Sequence, residues 1–168
     1  EKARSLIMAG AVLCNGVRLD KPGFPVGEAD VLAVKEDPVP FVSRGGLKLQ
    51  KALDVFGITL TGAVAADVGA STGGFTDCML KAGAAKVYAV DVGYGQLAWE
   101  LRQDSRVVVM ERRNARHMEP SWFVEPLEFA AVDVSFISTG LILPALYPCL
   151  AENAQAMVLV KPQFEAGR

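Results

Sequence analysis

A glycine-rich loop is the first place in this sequence where residue types and spacing indicate chemistry. The stretch DVGASTGG, at residues 67–74, lies between an apolar run and a helix-like segment. In such a setting, backbone amides at the start of the helix can bind an anion. Gly69 and Gly74 fit the outer positions of the dinucleotide fingerprint G-x-G-x-x-G, but Ser71 replaces its middle glycine. Because that glycine lets the backbone approach a pyrophosphate, the sequence argues against NAD or FAD.

S-adenosylmethionine suits this loop better, because its tail is an amino acid and carries no pyrophosphate. Asp67 can meet the ammonium group of that tail, directly or through water, while the loop amides face its carboxylate group. Asp91 ends the next apolar run, where a carboxylate can accept both ribose hydroxyls. Such an acid binds the ribose of NAD equally well, so Asp91 indicates a nucleoside without deciding which one.

Two other interpretations of the loop stay open. Residues 69–73 also read G-x-S-x-G, the turn that presents the nucleophilic serine of α/β-hydrolases. Asp91 or Asp133, with His117 as the single histidine, would complete a triad. The histidine of such a triad normally follows most of the sheet, whereas His117 precedes the last two predicted strands, which argues against a hydrolase. A glycine turn with only a structural role is the other alternative.

The elements that must position these residues follow a regular pattern. Five apolar runs predict strands, at residues 63–68, 86–92, 107–110, 129–134 and 156–160. Helix-like segments lie between them, at residues 74–81, 96–103 and 138–150, and residues 119–128 predict a short helix and a loop. We expect Pro144 and Pro148 to bend or end the last helix. Strands that alternate with helices predict a doubly wound, mostly parallel α/β sheet, which binds ligands at the carboxyl ends of its strands.

The first part of the chain predicts a small α+β module. A helix is expected over residues 1–10, followed by short strands at 12–13, 17–19 and 31–34, with Asn15-Gly16 as the turn between the first two strands. The charged sequence KEDPVP indicates a linker. After it, SRGGLKLQKALDVF has the apolar spacing of an amphipathic helix that ends at Gly57.

The composition narrows the classes of function. A net charge of −2 differs from that of a strongly basic nucleic-acid-binding protein, so any RNA contact must come from a local patch. Cys14, Cys78 and Cys149 form no C-x-x-C pair, which argues against a disulfide framework or a zinc site and favours a reducing cytosol. The longest apolar runs fall short of the ~20 residues that a membrane span needs.

Several stretches of the chain, taken together, resemble the TlyA (hemolysin A) family, whose catalytic domain is similar to the FtsJ-type ribose 2′-O-methyltransferases. The matching stretches are VSRGGLKL, DVGASTGGFTDCML, DVGYGQLAWELR, ERRNAR, DVSFIS and VKPQFEAG. The resemblance implies an enzyme that uses S-adenosylmethionine to methylate a ribose 2′-hydroxyl, that of cytidine, in ribosomal RNA. Ribosomal RNA or ribosomal subunits would be its partners, and the cytoplasm its location.

The resemblance also divides the chain. Residues 1–36 resemble part of a ribosomal-protein-S-four-type RNA-binding module with its first helix absent, and residues 37–44 would be the linker. Residues 45–168 would form the methyltransferase domain. Because sheets of that family normally have two more strands, we expect this domain to be incomplete at its C-terminal end.

Three catalytic residues are implied by the resemblance. FtsJ-type enzymes use a Lys-Asp-Lys-Glu set, whose first three members match Lys48, Asp133 and Lys161, while Glu165 does not match the fourth. A ribose 2′-hydroxyl is a poor acid, so Lys161 would act as a base or stabilise the alkoxide. Asp133 would orient that lysine, Lys48 would supply a second cation, and no metal is required.

The resemblance completes the set of cofactor residues. The candidates are Asp67, Gly69, Ser71, Gly73, Gly74, Asp91, Asn114 and Asp133. Asn114 is expected at the adenine edge, and Tyr94 and Gln96 either contact the cofactor or shape a helix start. Phe136 either stacks on a base or packs within the protein. The alternatives from other classes are a nucleotide-linked oxidoreductase and a non-catalytic RNA-binding protein with a relic pocket.

Overall fold

The chain divides into two units, residues 1–40 and 41–168. This computed structural model describes residues 2–8, 10–34 and 39–165. The predicted module ends at residue 36 and the predicted linker begins at residue 37, and both positions lie outside the described residues. The last three residues of the predicted methyltransferase domain, 166–168, also lie outside them.

In its described residues, the first unit is a small antiparallel sheet and a short helix. Its elements are α1 (Lys2–Met8), β1 (Val12–Cys14), β2 (Val17–Arg18) and β3 (Leu32–Val34), and the strand order is β2-β1-β3. Asn15 and Gly16 both have positive φ, of 52° and 80°, as a two-residue hairpin turn requires. Val12, Cys14 and Leu19 form the core of this unit. The sequence predicts these elements, except that residues 1 and 9 of the expected helix lie outside the described residues.

The second unit is a five-stranded parallel sheet flanked by helices. Its strands are β4 (Val64–Val68), β5 (Lys86–Val90), β6 (Val107–Met110), β7 (Leu127–Val132) and β8 (Leu150–Val158). Its α-helices are α2 (Gly45–Phe56), α3 (Gly74–Lys81), α4 (Trp99–Gln103), α5 (Leu143–Leu146) and α6 (Pro162–Glu165). The strand order is β6-β5-β4-β7-β8, so the chain reverses its direction of travel between β4 and β7. The predicted doubly wound fold is confirmed, and the reversal point is where such sheets bind ligands.

The central strands β4, β5 and β7 are mostly apolar and mostly buried, as expected of parallel strands that are covered on both faces. Val68, Val90 and Val132, at the carboxyl ends of β4, β5 and β7, are fully buried. Helix α2 buries Leu49 and Leu53 on one face and ends at Gly57, whose φ of 63° closes the helix. No helix among the described residues is long and apolar enough to cross a membrane.

Two strands begin or end away from the predicted positions, for reasons that involve polar side chains. The strand predicted over residues 86–92 ends at Val90, because the Asp91 carboxylate accepts the amide of Gly93 and turns the chain. The strand predicted over residues 129–134 runs from Leu127 to Val132 instead, so Asp133 directly follows it. Glu128, which the sequence assigned to a loop, lies within β7 and accepts a hydrogen bond from the amide of Val64 at 2.8 Å.

The last predicted helix and strand also differ from expectation. The segment 138–150 is broken into 3-10 turns at Thr139–Leu141 and Tyr147–Cys149 around the short α5, in agreement with the effect expected of its two prolines. Strand β8 begins at Leu150 rather than at residue 156. Its early part is polar and irregular, with Asn153 at a φ of 63°, so the apolar pattern does not mark it. Helix α4 likewise begins at Trp99 rather than at residue 96.

Candidate active site

The candidate site lies at the carboxyl edge of the sheet, where the loops after β4 and β7 touch. The amide of Asp133 donates to the carbonyl oxygen of Val68 at 3.0 Å. Gly69 has a φ of 91°, and a Cβ atom there would lie 2.7 Å from the carbonyl oxygen of Asp133. Only glycine satisfies both conditions, so Gly69 sets how closely the two loops approach.

Two lysines converge on one aspartate at this edge. Lys161 Nζ lies 2.6 Å from Asp133 Oδ1, and Lys48 Nζ lies 3.1 Å from Asp133 Oδ2. Lys161 Nζ also donates to Ser135 Oγ at 2.7 Å. The Lys161 side chain is 18% exposed, whereas that of Lys48 is 50% exposed. The three residues that the resemblance assigns to catalysis therefore lie in one cluster, with Lys161 the more enclosed of the two cations.

A close crossing of α2 and α3 brings Lys48 to this cluster. A Cβ atom on Gly74 would lie 2.8 Å from the backbone nitrogen of Gly46 and would collide with Ser43 Oγ. The bare backbone of Gly74 thus lets the start of α2 rest on the start of α3. Lys48 lies in the first turns of α2, where this contact aims it at the sheet edge. Gly74, predicted to bind the cofactor, is buried in the helix contact.

Asp67 is buried next to the glycine loop and does not line the cleft. It is 1% exposed, and its Oδ2 accepts hydrogen bonds from Thr76 N at 2.8 Å and from Thr76 Oγ1 at 2.7 Å. Burial raises the pKa of the Asp67 carboxyl to about 7, although the two bonds from Thr76 oppose the rise. Asp67 therefore fastens the end of β4 to the first turn of α3.

Asp91 and the glycine loop hold each other in place. Asp91 Oδ2 accepts the amide of Ser71 at 2.7 Å, and Asp91 Oδ1 accepts the amide of Gly93 at 2.6 Å. The Ser71 hydroxyl donates to Gln96 Oε1 at 3.3 Å. A hydrolase triad would require it to donate to His117 instead. Gly73 has a φ of 95°, and a side chain there would collide with Leu101. Ser71 and Gly73 therefore shape the loop around a fixed carboxylate.

A cleft of about 240 Å³ opens beside this carboxylate. Its lining residues are Gly69, Val90, Asp91, Val92, Arg113, Asn114, Ala115, Val134, Ser135, Ile137 and Ile142. Three predicted cofactor residues are among them, namely Gly69, Asp91 and Asn114. Sequence reasoning did not single out Ser135 or Ile137 as site residues, although both lie in the matching stretch DVSFIS directly after β7. The Asn114 side chain also accepts the amide of Arg116 at 3.1 Å.

Exposed aromatic side chains follow two of the strands. Phe136, three residues after Asp133, is 90% exposed and has a φ of 64°. Its ring centroid lies 5.3 Å from that of Phe164. Tyr94 is also exposed, and the guanidinium carbon of Arg112 lies 4.5 Å from its ring centroid. A flat, solvent-facing ring at a ligand-binding sheet edge is suited to stacking on a nucleic-acid base.

A doubly wound parallel sheet with a cleft at its reversal point defines a fold class, the Rossmann-like α/β proteins. The solved structure of "Putative methyltransferase yhhF from Escherichia coli" shows this fold, with a TM-score of 0.56 at 20% identity over 72% of this chain and 71% of that one. The FtsJ-like methyltransferase family matches residues 41–168, and the S4 domain matches residues 1–32. The chain belongs to the FtsJ-like methyltransferase family, so the resemblance drawn from the motifs is confirmed.

Individual relatives are similar over the whole chain. It is 57% identical to the "Putative rRNA methyltransferase YqxC" of Bacillus subtilis, over 100% of this chain and 60% of that protein. It is 47% identical to the 16S/23S rRNA (cytidine-2′-O)-methyltransferase TlyA of Mycobacterium tuberculosis, over 100% of this chain and 63% of that protein. The solved structure of "Putative hemolysin from Streptococcus thermophilus" has a TM-score of 0.81 at 53% identity, covering 99% of this chain and 62% of that one. The chain thus spans about three fifths of the length of these relatives.

Proposed function

We propose that this chain forms the catalytic part of an enzyme that transfers a methyl group from S-adenosylmethionine to the 2′-hydroxyl of a cytidine ribose in ribosomal RNA. The cluster of Lys48, Asp133 and Lys161 beside a nucleoside-type cleft carries the proposal. Family membership supports methyl transfer, and the names of the similar proteins support ribosomal RNA and cytidine. The reaction would take place in the cytoplasm, where ribosomal subunits assemble.

The cleft residues fit the nucleoside half of S-adenosylmethionine. Asp91, whose position is fixed by two amides, would accept the ribose hydroxyls, and Asn114 would meet the adenine edge. Ile137 and Ile142 supply apolar contact for the adenine ring. Gly69 also lines the cleft, so its backbone would lie against the bound cofactor. When bound, the cofactor supplies an electrophilic methyl group on a positively charged sulfur.

Lys161 would act on the attacking ribose oxygen. Its Nζ lies 2.6 Å from Asp133 Oδ1 and donates a hydrogen bond to Ser135 Oγ at 2.7 Å, and these two contacts hold it at the sheet edge. As a free amine, Lys161 would take the proton of the 2′-hydroxyl; as an ammonium, it would stabilise the oxygen as negative charge develops there. Lys48 adds a second positive charge from the other side of Asp133. Much of the remaining rate would come from alignment of the two substrates.

Two features of the chain suit an RNA substrate. The exposed ring of Phe136 lies three residues from Asp133, where it would stack on the base whose ribose is methylated. The match of residues 1–32 to the S4 domain supports RNA binding by the first unit. Ribosomal RNA within a subunit would then be held at two places on the protein.

The direct test measures methyl transfer from labelled S-adenosylmethionine to ribosomal subunits that lack the modification. We expect Lys161→Ala in the full-length protein to lower the rate at least ~100-fold, as for loss of a positioned base. Binding of S-adenosylmethionine should stay within ~3-fold of wild type, because Lys161 does not line the cleft. Lys51→Ala, an exposed lysine on α2, is the matched control and should keep full activity.

The alternatives give different results in the same experiment. A non-catalytic RNA-binding protein would bind subunits without methylating them, and Lys161→Ala would then have no activity to remove. An oxidoreductase would bind NAD more tightly than S-adenosylmethionine in a calorimetric titration. Either result would refute the proposed function.

A further inference from the structure

Two segments at the site contact each other at three places. The first loop, residues 133–139, follows β7, and the second segment, residues 161–165, follows β8 and contains α6. Lys161 contacts Asp133 and Ser135 at the start of the first loop. The rings of Phe136 and Phe164 contact each other in the middle. Glu165 completes the connection at the far end, and the methyl-transfer mechanism assigns it no task.

Glu165 makes three hydrogen bonds to the end of the first loop. Its Oε1 accepts the amide and the hydroxyl of Thr139, both at 2.8 Å, and its Oε2 accepts the hydroxyl of Ser138 at 2.5 Å. Ser138 Oγ in turn accepts the amide of Gly140 at 3.1 Å. These bonds, that from Ser138 above all, hold the pKa of the Glu165 carboxyl below its usual range. The carboxylate is thus ionised at neutral pH and fixes the turn that begins at Thr139.

Phe136 needs such support because its backbone is unfavourable. A φ of 64° is uncommon for any residue other than glycine, and a bulky side chain rarely adopts it. The ring is 90% exposed, so burial of the ring does not stabilise this conformation. Strained residues of this kind persist only where the surrounding structure determines them from both sides. Lys161 supplies that restraint before Phe136, and Glu165 supplies it after.

We propose that Glu165 is a positioning residue, which holds the 133–139 loop so that the Phe136 ring, packed against Phe164, receives the target base. This inference rests on the proposed function. Glu165 would touch neither substrate, and it would act only through Ser138 and Thr139. Its importance would come from geometry, since small displacements of a bound substrate lower the rate of transfer strongly.

Conservative replacements distinguish geometry from charge. A glutamine at 165 keeps one oxygen for the two bonds from Thr139, and its amide nitrogen can donate to Ser138 once that hydroxyl turns. An aspartate keeps the charge but is one methylene shorter, so it cannot reach both residues. We therefore expect Glu165→Gln to retain most activity, Glu165→Asp to lose more, and Glu165→Ala to lose most.

The experiment is a double-mutant cycle in the full-length protein, with Phe136→Ala, Glu165→Ala and the two combined. We expect Glu165→Ala to lower kcat/KM for subunits ~10-fold, while the affinity for S-adenosylmethionine changes less than ~3-fold. If Glu165 acts through Phe136, the combined variant should be no slower than Phe136→Ala alone. Asp104→Ala is the matched control. Asp104 also accepts a backbone amide, that of Arg106 at 2.9 Å, but it precedes β6 at the opposite end of the strand.

The outcomes separate the two ideas. Losses that multiply in the combined variant, or full activity of Glu165→Ala, would overturn the inference and leave the proposed function intact. An inactive wild-type protein would overturn the proposed function and the inference with it. Thermal melting of each variant identifies any that fail to fold, and in that event the order of Glu165→Gln and Glu165→Asp decides instead: equal activities would contradict the inference.

Discussion

Asp67 shows at the scale of single residues how burial changes the behaviour of an acid. Its carboxyl group is 1% exposed and its pKa is raised to about 7, because the surroundings disfavour the charged form. In the unfolded chain the same group releases its proton near pH 4. Between these values the folded protein holds a proton that the unfolded chain has lost, so this group makes folding less favourable as the pH rises.

Asp67→Asn should remove this dependence. The amide cannot ionise, yet its oxygen can still accept both hydrogen bonds from Thr76. We expect the free energy of unfolding of the variant, relative to that of wild type, to rise by ~2–3 kcal/mol between pH 5 and pH 8. Urea denaturation of both proteins at each pH measures this difference, and the contributions of all other groups cancel. Parallel pH profiles would show that Asp67 is ionised in the folded protein across this range.

Residue types alone do not reveal which glycines of the loop serve a ligand. Gly69 and Gly74 both fit a fingerprint, but Gly69 lines the cleft and Gly74 lies in a helix contact. Both glycines belong to the same glycine-rich stretch of the sequence. Gly74 is buried because α2, which comes from another part of the chain, packs on it. The meeting of Asp133 with Lys161 was easier to predict, because both residues follow strands whose carboxyl ends share one edge.

At the scale of elements, the crossing of α2 over α3 determines where Lys48 points. Gly74→Ala should therefore act on catalysis as well as stability. Its methyl group would press on the backbone of Gly46, which cannot move aside as a side chain can. We expect a loss of ~1–3 kcal/mol in the free energy of unfolding, partly offset by the better helix propensity of alanine. The rate of methyl transfer per folded molecule should fall as well, because Lys48 would move away from Asp133.

The control for this prediction is Gly45→Ala, in the same helix pair. A methyl group there meets only the Ser43 hydroxyl, at 3.3 Å, which can rotate. Denaturation and methyl-transfer rates measured on both variants test the idea. If Gly74→Ala keeps normal activity in the folded protein, the position of Lys48 does not depend on this crossing.

Element boundaries show why part of the site could not be predicted. The strands were found from their apolar runs, but polar residues such as Glu128 at the start of β7 hid where they begin. The segments after β7 and β8 carry Phe136 and Glu165, and the contacts between these segments join positions 26 or more residues apart in the sequence. Periodicity describes neighbours along one element, so it holds no information on such pairs. The resemblance identified the lysines and Asp133 but not the residues that hold them.

At the scale of the whole molecule, every residue that lines the cleft lies in the second unit, residues 41–168. Removal of residues 1–40 should therefore leave the affinity for S-adenosylmethionine within ~3-fold of that of the whole protein. On the proposed function, affinity for ribosomal subunits should fall at least ~10-fold, because the first unit would be one of two linked RNA-binding modules and its loss would remove the gain from bivalent binding. Calorimetry and filter binding measure the two affinities. Loss of cofactor binding would show that the first unit is needed to complete the cleft.

Ser135 has a consequence for inhibition. Its side chain accepts a hydrogen bond from Lys161, and the same residue lines the cleft. A small molecule that filled the cleft and accepted a hydrogen bond from, or donated one to, the Ser135 hydroxyl would compete with the proposed methyl donor and would also remove one restraint on Lys161. Through its contact with Ser135, such a compound would affect both the cleft and the position of Lys161. A variant that resisted such a compound through a replacement of Ser135 would lose the same restraint on Lys161. We therefore expect a resistant variant of this kind to be less active than wild type.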